Sequence, residues 1–229
     1  MKSHTEIENR FKQIGATFLM PADTLALRLQ SIRAFVFDWD GVFNLGAKGD
    51  GAQSTFSEPD SMGTNLLRYA YWQTHGVLPV CAIVSGASNP SAQQFAVREH
   101  FQAIYSGYLD KTTAFDSFGS EFDIRRDQMA YVFDDINDFS AAVGCALRFI
   151  VKRSASPLLH EYVAVHGMAD YVTAVEAGSF PVREIAEMLI GLYGKFDSVV
   201  SSRSAFDAEY ASYFEQRQCL ETAIHRAPK

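Results

Sequence analysis

Apolar residues in this chain gather in short continuous runs rather than in alternation. "AFVF" (34–37), "VCAIV" (80–84), "MAYVF" (129–133) and "LRFIV" (147–151) are the clearest. A run that is apolar at every position reads as a strand covered on both faces, the mark of a parallel sheet. With their flanks, these runs predict strands over 32–38, 78–86, 129–135 and 147–151, with shorter ones at 103–108 and 169–173. Between them the period lengthens. "SMGTNLLRYAYWQTHG" puts Leu66, Leu67, Ala70 and Tyr71 on one face and closes on Gly76, which predicts a helix over 61–76. Further helices are expected at 89–101, opening with Asn-Pro, at 111–122 and at 137–145. Residues 4–30 read as helical with a break at Pro21, and the chain turns helical again from Pro181. Within 204–224, Phe206, Tyr210, Tyr213 and Phe214 form a packing face along a helix. "GVFNLGAKGDGAQSTFS" carries apolar or Thr positions around a glycine-rich centre and reads as a β-hairpin, at about 42–57. Strands alternating with helices imply an α/β fold with a parallel sheet and right-handed crossovers.

Composition narrows the partners. The 229 residues carry a net charge of −7, which argues against a nucleic-acid backbone as partner. No apolar stretch reaches the roughly 20 residues of a membrane span, and the polar N-terminus has no signal-peptide core, so no membrane partner is expected. Three widely spaced cysteines (Cys81, Cys145, Cys219) without a CxxC suit a reducing cytoplasm.

Ligands of parallel sheets bind at the carboxyl ends of the strands. The first strand ends in Asp38-Trp39-Asp40-Gly41, the second in Ser85-Gly86, the third long one in Asp134-Asp135, with Asp138 just beyond. Asp110-Lys111 follows the short strand at 103–108. Carboxylates, a hydroxyl and an ammonium thus converge on one rim. Buried carboxylates this close need a cation between them or a polar cleft where the strand ends.

These four motifs resemble the haloacid dehalogenase superfamily of phosphotransferases: "DWDGVFN", "IVSG", Lys111 and "FDDINDF" follow its order and spacing over residues 32–139. Within it, "FSEPDSMGTNLL", "YSGYLDKTTAF" and "ADYVTAVEAGSFPVREIAEMLI" are similar to the 3-deoxy-D-manno-octulosonate 8-phosphate phosphatases and their nonulosonate 9-phosphate relatives. Phe133 stands where that group has Gly, and Ala87 where it has Arg. The resemblance implies a Rossmann-like sheet with a small hairpin cap. It implies Asp38 as nucleophile and Asp40 as general acid and base. Mg²⁺ is then held by Asp38, the backbone carbonyl of Asp40, and Asp134. Ser85, Gly86 and Lys111 bind the substrate phosphate, and Asp135 and Asp138 support the metal waters or Lys111. Asp60 either contacts substrate or caps the helix that follows it. The substrate expected is a small phosphorylated metabolite, of sugar or sugar-acid type, and the relatives tetramerise, so a homo-oligomer is expected. The alternatives are a non-catalytic binding protein on the same fold and a phosphatase of macromolecules. The expected organisation is a helical extension (1–30), a phosphatase core (31–191) and a second helical extension (192–229).

Overall fold

The computed structural model describes residues 2–49 and 54–228. In chain order the chain forms α1 (His4–Gln13), β1 (Thr17–Phe18), α2 (Ala22–Leu29), β2 (Ala34–Phe37), α3 (Glu58–His75), β3 (Val80–Ser85), α4 (Pro90–Arg98) and β4 (Ala103–Ser106). Then come α5 (Lys111–Phe122), β5 (Met129–Phe133), α6 (Phe139–Ala142), β6 (Leu147–Lys152), α7 (Pro157–His166), β7 (Tyr171–Glu176), α8 (Pro181–Leu192), α9 (Phe196–Ala205), α10 (Ala208–Gln218) and β8 (Ala223–Arg226). The strands make one sheet in the order β1-β7-β6-β5-β2-β3-β4-β8. Every pairing is parallel except that of β1 with β7.

β2 lies at the centre, with Phe37 in register with Ile83 of β3 and Val132 of β5. Successive side chains of β2 face opposite layers. Phe35 and Phe37 join a core with α2, α3, α4 and α8, while Ala34 and Val36 join one with α5, α6 and Val163 of α7. Both faces being covered is why the strand is apolar at every position. The chain runs from β2 outward through β3 and β4, then returns to the other side of β2 as β5. That reversal opens a crevice above the carboxyl end of β2, where a ligand can bind.

Three elements escaped the sequence pattern. β1 has two residues, and β8 adds an edge strand beyond β4 from inside a stretch read as helical, where α10 already ends at Gln218. α7 carries exposed Leu158 and Val165 and has no clear apolar stripe. The hairpin expected at 42–57 forms no strand ladder among the described residues; its centre, 50–53, lies outside them. Instead residues 39–44 make a tight turn, closed by an isolated bridge between Asp40 and Asn44. The aromatic residues dominate here: Trp39, Phe43 and Phe56 pack against Phe95 of α4 rather than across a ribbon, and a lone two-stranded ribbon is marginal in water. The aromatic face of α10 packs inside the same chain: Tyr213 donates to the Asn65 carbonyl at 3.0 Å, and Tyr210 stands edge-on to Tyr69.

Candidate active site

Asp38 follows β2 directly, and its amide still donates to the Val132 carbonyl at 2.9 Å. The central ladder therefore fixes its position. Gly41 then turns the chain, at a φ of 86°, with its amide on the Asn44 carbonyl. A Cβ at position 41 would sit 2.0 Å from Asp134 Oδ2, so the turn needs glycine for its dihedral and for the close approach of that carboxylate. The turn separates two aspartates that an extended strand would point the same way. Asp38 faces a cluster with Asp134 and Asp138, whose carboxylate oxygens come within 4.8 Å of one another. The Asp40 side chain lines the same cleft but takes other partners. It accepts from Ser54 Oγ at 2.8 Å and pairs with Lys48, while Asn89 Nδ2 and Trp39 Nε1 bind the same Ser54 hydroxyl at 2.6 and 2.7 Å. The metal contact expected of Asp40 is its backbone carbonyl, not this side chain.

Lys111 is the first residue of α5, which Asp110 caps by accepting the Thr112 amide. An ammonium at the positive end of a helix is unfavourable by itself. Two carboxylates offset it: Lys111 Nζ lies 2.6 Å from Asp38 Oδ1 and 2.5 Å from Asp138 Oδ1. Asp138 also accepts from the buried Tyr131 hydroxyl. Asp135 accepts the Ile136 amide at 2.7 Å and pairs with Arg153, which reaches Asp134 with its other nitrogen. Ser85 ends β3, its Oγ accepting from the Ala87 amide, and Gly86 follows it on the cleft wall. The expected site residues other than Asp60 line one cleft of about 830 Å³, which Lys48, Lys152, Arg153 and Glu176 complete.

Burial decides the electrostatics. It pushes the Asp38 carboxyl up to about 8, with Asp138 adding to the effect, and the Asp134 carboxyl up to about 6, again with Asp138 contributing. Burial opposes the charge on Lys111, but Asp38 and Asp138 outweigh it and raise its pKa. Burial, then Asp138, drives the Tyr131 hydroxyl well above its usual value. Lys111 and Arg153 together do not balance the carboxylates of Asp38, Asp134, Asp135 and Asp138. An all-oxygen donor set with excess negative charge suits a small hard dication, so the residues fit such an ion.

One expected site residue is not in the cleft. Asp60 is buried in the first turn of α3, where it accepts the Arg183 amide at 2.9 Å and the Ser57 hydroxyl at 2.7 Å. It ties α3 to the start of α8 and does not line the cleft; the cap of α3 is Ser57. Conversely Arg153, Tyr131 and Ser54 were missed. Arg153 follows the end of β6, so the same strand-end rule points to it. Tyr131 is a lone hydroxyl in an apolar strand, and nothing local marks Ser54.

No protein-family model matches the sequence. The 3-deoxy-D-manno-octulosonate 8-phosphate phosphatase of Haemophilus influenzae is 26% identical over 184 residues, 78% of this chain and 93% of that protein. The crystal structure of the Moraxella catarrhalis phosphatase of the same name, in complex with magnesium, phosphate and KDO, covers 79% of this chain and 98% of its own at a TM-score of 0.63 and 22% identity. A Legionella pneumophila structure assigned to the HAD superfamily (subfamily III A) hydrolases covers 80% of this chain and 95% of its own, with a TM-score of 0.65 and 23% identity. The chain is similar in sequence to these octulosonate 8-phosphate phosphatases and shares their fold. Its central strands, β2, β3 and β5, deliver the acidic and hydroxyl motifs to the cleft, and α5 delivers the lysine. Phe133, which replaces the usual glycine, is fully buried between Tyr131 and Phe139 rather than in the cleft.

Proposed function

We propose that the protein is a Mg²⁺-dependent phosphomonoesterase acting through an aspartyl-phosphate on a small phosphorylated metabolite of sugar or sugar-acid type. The observation that carries this is the convergence of Asp38, Asp134 and Asp138 with Lys111 on one cleft at the sheet's switch point. Asp38 and Asp134 would hold the ion, with the Asp40 carbonyl. Mg²⁺ supplies charge that keeps the carboxylates ionised and draws electron density from the phosphoryl oxygens.

The protein's own groups do the rest. An Asp38 oxygen attacks phosphorus and the ester P–O bond breaks. Asp40, held by Ser54, gives its proton to the departing alkoxide. Water then attacks the phosphorus of the aspartyl-phosphate, Asp40 takes its proton, and inorganic phosphate leaves. Ser85 and Gly86 bind phosphoryl oxygens. Lys111 neutralises the charge that builds on them and holds Asp38 ionised.

The substrate class rests on the relatives' names and on a polar cleft of metabolite size. Leu45 and Leu109 line that cleft with 77% and 88% of their surface exposed, which supports a second copy of the chain covering the mouth. Three unpaired cysteines support a reducing compartment, the cytoplasm. No helix among the described residues is long and apolar enough to cross a membrane. A panel of phosphate esters assayed with Mg²⁺ tests the reading. Turnover of sugar phosphates that vanishes in Asp38→Asn supports it, and no turnover of any ester overturns it.

A further inference from the structure

Arg153 enters the cleft where β6 ends and spans two carboxylates with different duties. Its Nη2 meets Asp134, a member of the acidic cluster, and its Nη1 donates to Asp135 at 2.5 Å, outside that cluster. Asp135 is itself anchored by the Ile136 amide. The Arg153 side chain is 40% exposed, so it has room to move without disturbing the core. The Asp134 oxygen it meets, Oδ2, is the one packed against Gly41. A guanidinium and a dication cannot share that oxygen without strong repulsion between like charges. One of them has to leave, and Asp135 keeps the guanidinium at the cleft wall when it does. A planar fork of donors freed at that wall matches phosphate oxygens.

We propose that Arg153 is a tethered counter-cation: it occupies Asp134 until a divalent ion takes its place, and the freed edge of its guanidinium then binds the substrate's phosphate. This rests on the metal-dependent phosphatase reading above. Phosphate draws Arg153 off Asp134, so phosphate tightens Mg²⁺ binding and Mg²⁺ tightens phosphate binding by the same factor. Arg153 is thus a positioning residue that couples the two.

Calorimetric titration of the full chain with Mg²⁺, with and without inorganic phosphate, tests this in wild type, R153Q and R153K. Without phosphate, R153Q is expected to bind Mg²⁺ about tenfold more tightly than wild type, the worth of one charge-assisted hydrogen bond. Phosphate is expected to improve Mg²⁺ affinity less in R153Q than in wild type. R153K, which keeps the charge but loses the fork, falls between and carries the same sign should R153Q fail to fold. Unchanged or weaker Mg²⁺ binding in the variants overturns the proposal, since an arginine that only orients Asp134 would weaken the site when removed. If wild type binds Mg²⁺ and turns over esters while the variants show no gain, this inference alone falls. If wild type does neither, the phosphatase reading falls and takes the inference with it.

Discussion

Lys111 Nζ lies 2.6 Å from Asp38 Oδ1, and both side chains are more than nine-tenths buried. The pair joins the first turn of α5 to the end of β2, residues far apart in the chain. Removing one partner of a buried pair leaves the other charge unmatched, which costs about 3–5 kcal/mol. Lys111→Met should therefore lower stability by about that amount and reduce kcat by at least about a hundredfold, as expected for a lost charge stabiliser. Chemical denaturation and steady-state kinetics on the same preparation check both. Full activity in this variant would remove Lys111 from the chemistry.

The acidic cluster makes metal-free stability depend on pH. Burial raises Asp38 to about 8 and Asp134 to about 6 in the folded chain, against a usual 3.8. Acids whose pKa rises on folding stabilise most when protonated. Their contribution is complete below about pH 4 and is lost as pH climbs through 6 and 8. The metal-free protein should lose Tm across that window. Saturating Mg²⁺ should restore it, by an increment that grows with pH because the ion binds the ionised carboxylates. Scanning calorimetry with EDTA and with Mg²⁺ measures the increment; a constant one would contradict the assignment.

Asp38→Asn should separate activity from stability. Turnover should fall by several orders of magnitude with the nucleophile gone. Lys111 keeps Asp138 as its counter-ion, and one acid fewer has to ionise, so the metal-free variant should lose less Tm than wild type between about pH 6 and 8. A metal-free variant whose Tm falls as steeply as that of wild type across this window would contradict the electrostatic account.

Gly41→Ala places a Cβ 2.0 Å from Asp134 Oδ2 at a backbone φ of 86°. The dihedral alone costs about 1–2 kcal/mol. The clash has to move Asp134, so Mg²⁺ affinity should drop more than tenfold even where the fold survives. Circular dichroism together with a Mg²⁺ titration separates the two effects.

Asp60→Ala probes a residue for which the sequence left substrate contact and helix capping equally open. Its loss leaves the Arg183 amide and Ser57 hydroxyl without their acceptor, at a cost of about 1–3 kcal/mol in Tm-derived stability. KM should not change. A raised KM at unaltered stability would restore Asp60 to the substrate site.

Much of the site was legible because a parallel sheet turns local pattern into position. An apolar run ended by Asp38-Trp39-Asp40, by Ser85-Gly86 or by Asp134-Asp135 announces a covered strand meeting a crevice, and such strands share one polarity. The α/β class and the residues of the rim could be read from that, because burial on both faces leaves its mark on each strand separately. Which partners each carboxylate takes could not. A period of two would aim Asp38 and Asp40 alike, and it was the turn at Gly41 that sent Asp40 to Ser54 and Lys48 and left Asp138 to join Asp38 and Asp134. Arg153 could be placed at a strand end but its partners could not, since they lie 18 and 19 positions away and meet it only because β5 and β6 pair. The place of Asp60 was left open for the same reason: a helix N-terminus can face solvent, substrate or another helix, and the packing of α8 against α3 chose the last. Strand identity belongs to each segment's own burial pattern, whereas the aim of a polar side chain belongs to whichever distant segment packs against it.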